Sequence, residues 1–144
     1  MTGWTDSADF PTTAGACRKT WKERIAYVSK IAPDGAKLVY SNFVGSSDSA
    51  TRSHAIVVNS AGEAYIAGSA GTGFPSTAGA YGTADQGTAY VAKLSADGSQ
   101  LLMSTTIRGG NEEAFALAID SAGAAYLSGY GGASLRSSSQ GGDH

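Results

Sequence analysis

Phe10-Pro-Thr-Thr-Ala-Gly-Ala16 is written a second time as Phe74-Pro-Ser-Thr-Ala-Gly-Ala80. Around it, three more blocks recur in the same order. Ala26-Tyr-Val-Ser-Lys-Ile31 returns as Ala89-Tyr-Val-Ala-Lys-Leu94, Pro33-Asp-Gly35 as Ala96-Asp-Gly98, and Asn59-Ser-Ala-Gly62 as Asp120-Ser-Ala-Gly123. Gly68 matches Gly129, and Gly3 holds the same place one copy earlier. Self-similarity at a fixed period marks a repeat architecture, so the chain reads as two copies of a unit of about 60–65 residues. The units run roughly over 3–67 and 68–129, within a repeat region 1–131, and 132–144 is a small polar stretch expected to form a flexible tail.

Each unit carries four apolar stretches of strand length, here Ala55–Val58, Ala64–Ala67, Ala89–Leu94 and Leu101–Ile107. Their Tyr, Ile, Val and Thr suit a pleated, half-buried surface, and their short lengths between Gly, Asp and Asn favour strands over helices. Asn59–Gly62 and Pro33–Gly35 are tight-turn chemistry: Gly supplies the positive φ, and Asn or Asp bonds its own backbone. The expectation is an all-β array of four-stranded antiparallel units. Ala55-Ile-Val-Val58 and Ala116-Leu-Ala-Ile119 do not alternate apolar with polar residues. A sheet covered on both faces reads that way, and the many Ala and Gly positions let its neighbours approach closely. Small sheets stacked face to face around an axis satisfy both conditions, which predicts a β-propeller.

The succession Phe-Pro-Thr-Thr-Ala-Gly-Ala, Ala-Tyr-Val-Ala-Lys-Leu, Asp-Gly, then Ser-Ala-Gly and Ala-Tyr-Leu-Ser-Gly resembles the SBBP-type bacterial β-propeller repeat over residues 3 to about 130. That resemblance implies a blade of a multi-blade protein, many members of the family being secreted or attached to the cell surface. The chain departs from it at Cys17–Arg24 and after Gly129-Tyr130, where no further Phe-Pro block follows.

With the strands of a blade labelled A to D outward, the order is end of B, C, D, then A, B, C, D, then A, B. The repeats are permuted, and the chain starts and ends mid-blade. Two blades do not close a ring of four to eight. The reading therefore expects either self-association, three chains giving six blades or four giving eight, or a fragment of a longer gene carrying further repeats.

Composition narrows the function classes. The chain has 144 residues, 20 of them Gly, with 42% hydrophobic and 15% charged residues. That apolar share suffices for a core and excludes a disordered charged chain. A net charge of −2 gives no general field for nucleic acid or an anionic membrane, and no run suits a membrane span. The opening Met-Thr-Gly-Trp-Thr-Asp lacks the pattern of a signal peptide, and Cys17 alone makes no intrachain disulfide. No Gly-x-Ser-x-Gly elbow, phosphate loop or His/Cys zinc set is present. The catalytic set is therefore empty.

Variable loops on a rigid scaffold are where function usually sits. The face that carries the D–A loops, Gly45–Ser53 and Arg108–Glu113, collects the candidate ligand-binding residues His54, Arg52, Arg108, Asn111, Glu112 and Glu113. Asp48 with Glu112 and Glu113 offers oxygen ligands to a hard cation such as Ca²⁺, although solvated loop charges are the plainer expectation. His54, at the opening of an inner strand, is a candidate acid or base beside the blander role of a hydrogen-bonded structural residue. The unrepeated segment Cys17–Arg24 places Arg18, Lys19, Lys22 and Arg24 around Trp21, a candidate surface for an acidic partner or a solvated loop. Phe10 and Phe74 are a stacking platform for sugars or, since they repeat, pins that hold a loop. The first expectation is a non-catalytic propeller scaffold or binding module. The alternatives are a propeller-type lyase or hydrolase using His54, Glu112 and Arg108, and a gene fragment without independent function.

Overall fold

A computed structural model describes residues 1–21, 23–46, 48–82, 88–107 and 112–132. Among them are nine strands and no helix: β1 (Thr2–Thr5), β2 (Ile25–Ile31), β3 (Leu38–Val44), β4 (Thr51–Val58), β5 (Ala64–Ala70), β6 (Thr88–Leu94), β7 (Leu101–Ile107), β8 (Glu113–Ile119) and β9 (Ala125–Tyr130). They form three antiparallel sheets, β1-β2-β3, β4-β5-β6-β7 and β8-β9. The all-β expectation holds, and the strands divide three, four and two along the chain.

Turn chemistry joins the strands as the residues predict. The Asn59 side-chain oxygen accepts from the Ala61 N–H at 3.1 Å, and Asp120 accepts from Ala122 at 2.9 Å. Each turn then passes through a glycine of positive φ, Gly62 at 82° and Gly123 at 86°, a region costly for residues with a Cβ.

The middle sheet is covered on both faces. On one side Ile66, Tyr90, Ala92 and Leu94 join Val28, Tyr40 and Val44 of the first sheet in one cluster. On the other, Ala67 and Ala89 meet Ala114, with Leu117 and Leu127 of the third sheet beside them. Because side chains alternate across a strand, the unbroken apolar runs of β5 and β6 feed both interfaces. Large and small residues are paired across the strands: Ala64 faces Leu94, Ile66 faces Ala92, and Gly68 faces Tyr90. These pairs keep each layer level enough for the next sheet to settle on it.

The Phe-Pro loops act as clamps. Phe10 lies 4.4 Å from Tyr27 and Phe74 lies 4.3 Å from Tyr90, both tilted by 35°. Beyond each phenylalanine, Thr13 donates its N–H to the Ser41 carbonyl at 3.1 Å and accepts the Ser41 N–H on Oγ1 at 3.0 Å. Thr77 repeats both bonds with Ser104, again at 3.1 and 3.0 Å. The loop thereby covers part of the outer strand's free edge.

Several boundaries differ from expectation. The strand predicted at Ala55 begins at Thr51, and the one predicted to end at Ala67 runs to Ala70. Ladder bonds there carry polar residues that periodicity alone assigns to a loop. His54 consequently sits inside β4 instead of opening it.

Candidate functional site

The site is built where the second and third sheets begin, at the starts of β4 and β8. Both strands carry a register irregularity, between Ser53 and Ala55 and between Ala114 and Ala116. An extra residue bends a strand and leaves its own side chain out of the ladder. The extra residues are His54 and Phe115, and their rings meet at 5.2 Å. Gly68 and Gly129 lie opposite the bulges, and a Cβ on either would collide with the carbonyl oxygen of Arg52 or Glu113. The repeated glycines thus allow the backbones to close and hold the Arg52 and Glu113 side chains in place.

Beyond the bulges lies a cavity of about 410 Å³, with Arg52, Ser69, Thr88, Glu112, Glu113 and Tyr130 in its wall. Arg52 and Glu113 occupy the same repeat position, opposite Ser69 and Tyr130. Glu113 accepts a long hydrogen bond from the Ser69 hydroxyl, 3.4 Å. Glu112 is only 3% exposed, and neither carboxylate oxygen has a hydrogen-bond partner. Its counterpart in the preceding repeat is Thr51, whose hydroxyl accepts the Ser46 N–H at 3.4 Å. The Thr88 hydroxyl is likewise buried and unpaired. Leaving a buried carboxylate without a donor costs several kcal/mol, more than any hydroxyl left alone. The arrangement suits binding of a donor-rich group more than proton transfer.

The structure brings Arg52, Glu112 and Glu113 to this cavity. Arg108 and Asn111 lie outside the described residues. Asp48 is not in the cavity wall, and among the described residues no three His, Cys, Asp or Glu side chains gather as a metal site. Of the three carboxylates considered for Ca²⁺, Glu112 and Glu113 share the cavity wall, while Asp48 follows β3.

Ser69, Thr88 and Tyr130 were not among the residues the sequence singled out. The available signal was the repeated glycine, since Ser69 and Tyr130 each follow one directly.

The described residues Trp21, Arg24, Lys19 and Arg18 of the segment 17–24 each meet a separate partner. Trp21 packs edge-on against Phe43 at 6.1 Å. Arg24 lies over the Trp4 ring at 4.2 Å, reaches Asp6 at 3.9 Å, and accepts the Thr51 N–H on its backbone oxygen. Lys19 donates to the Ala14 carbonyl at 2.8 Å, while Arg18 is half-buried and uses its backbone N–H toward Asn42. Lys22 lies outside the described residues. Phe74 is buried in its clamp and Phe10 half-buried in the other, the packing role that their repetition suggests.

In comparison with known proteins, the sequence matches no family model and no curated relative.

Proposed function

We propose that this chain is a section of a β-propeller of the kind the SBBP resemblance implies, serving as a non-catalytic scaffold that displays a ligand-binding edge. Its three sheets are blades: β1, the counterpart of β5, packs on β4, and β4 packs on β8, with β4 and β8 as the strands nearest the axis. The Thr2 hydroxyl donating to Ser53 Oγ at 2.8 Å ties β1 to β4.

The observation that carries the reading is the contrast between inner and outer faces of the stack. Leu94 is 0% exposed, whereas Ile31, its repeat counterpart, is 48% exposed; Tyr65 is 2% exposed, whereas its counterpart Tyr126 is 61% exposed. Residues that another sheet covers in the middle of the stack stand bare at its two ends. The occupant that fits them is a further blade of this same design, from another copy of the chain or from more repeats.

Light scattering on the purified chain tests this. Three or four copies per particle is the expected result, matching six or eight blades. A monodisperse, heat-stable monomer would overturn it, because the bare faces would then need no partner.

A further inference from the structure

We propose that the cavity between β4 and β8 binds a small zwitterion of the α-amino-acid type. Its walls carry opposite charges that do not neutralise one another. Arg52 stands at the position that Glu113 takes in the next repeat, both face the cavity, and no ion pair joins them among the described residues. Glu112 adds a carboxylate that is nine-tenths buried and has no donor.

A guanidinium presents a fork of N–H groups that matches a carboxylate, and an ammonium group brings three donors to oxygens that have none. One molecule bearing both ends meets both requirements. Its carboxylate lies against Arg52 and its ammonium group lies toward Glu112 and Glu113. Those two glutamates also border a second cavity of about 190 Å³, whose wall includes Ala89, Ile107 and Leu127. That cleft has the size and apolar lining for an aliphatic side chain. Its departure from the repeat sets this place apart as well: Thr51-Arg52 becomes Glu112-Glu113, where the scaffold positions around it are kept. The site lies within the second and third sheets of one chain, so it stands whether or not the ring described above forms.

The test is a calorimetric titration of the full chain with L-leucine, alongside isoamylamine and 4-methylpentanoate, each of which keeps one charged end. Saturable binding of L-leucine is expected, with each analogue at least about tenfold weaker. Arg52→Gln is expected to erase the preference over isoamylamine, and Glu112→Gln the preference over 4-methylpentanoate. Because the ligand series is read on the unaltered chain, a variant that failed to fold would leave the test standing. Equal binding of all three compounds, no saturation with L-leucine at millimolar concentration, or saturation by Ca²⁺ that displaces L-leucine would each overturn the proposal.

Discussion

The Phe-Pro clamps and the starts of β4 and β8 obey opposite rules. In the clamps the two copies agree in residue, ring distance and hydrogen bond, from the Phe-Tyr stack to the threonine bridge. At the strand starts the backbone agrees, bulge for bulge and glycine for glycine, but the side chains change from Thr-Arg to Glu-Glu. Where backbone and side chains both repeat, the residues hold the sheets together. Where only the backbone repeats, side chains are free to serve something other than stability, and it is there that an unpaired buried carboxylate is found.

Phe74→Ala is the harshest way to probe the first rule. Phe74 is buried against Tyr90, so its loss should cost about 3–5 kcal/mol in urea unfolding. Phe10 makes the same stack from a half-buried position, and Phe10→Ala should cost roughly 1–2 kcal/mol. Equal costs would show that burial by a neighbouring sheet adds nothing to the clamp.

Gly68→Ala comes next, at about 1–3 kcal/mol, because the new Cβ meets backbone that cannot move aside. Gly3→Ala meets only the Tyr27 side chain, which can swing, and should cost less than about 1 kcal/mol. A thermal melt that ranks the two the other way would remove close backbone approach as the reason for the repeated glycine.

The second rule predicts a gain. Replacing Glu112 with Gln removes a buried charge while keeping its shape, and should raise stability by about 1–2 kcal/mol without ligand. Glu113→Gln, at a half-buried side chain already bonded to Ser69, should change it little. If Glu112→Gln destabilised the chain instead, the carboxylate would have a structural partner and the contrast between the regions would fail.

Much of the scaffold was legible because strands and tight turns are local. A run such as Ala-Tyr-Val-Ala-Lys-Leu announces its period and its burial on two faces, and Asp-Ser-Ala-Gly announces its turn. The strand extensions at Thr51–Ser53 were not legible, since polar residues enter a ladder only when a partner strand arrives. The candidate site was half legible. Arg52, Glu112 and Glu113 drew notice as charges on the face that carries the loops between units, but pairing Arg52 with the glutamates in one cavity needed the stacking of the second sheet on the third.

The smallest expected effect concerns a pair that, among the described residues, belongs to the middle sheet. Lys93 lies 2.6 Å from Glu63, while the positions matching Glu63 and Lys93 in the neighbouring copies are Ala124 and Lys30. The hydrogen bond from Lys93, then that from Asn59, holds the Glu63 carboxyl below its ordinary value of 4.5. The pair should therefore contribute its full share of stability above that value and lose it as the pH falls through the lower folded-state value. The bond to Glu63 raises the Lys93 ammonium group above its ordinary 10.5. Its stabilisation is complete below 10.5 and disappears as the pH climbs through the raised value. Melting temperatures of the wild type and Glu63→Gln should thus run apart by a small, constant amount at intermediate pH and converge at the acid end. The separation should shrink in high salt, as it does for pairs partly open to water. Curves that stay parallel into acid would mean that Asn59 and Glu63 act through the turn they brace, and that the middle sheet gains nothing electrostatic over its neighbours.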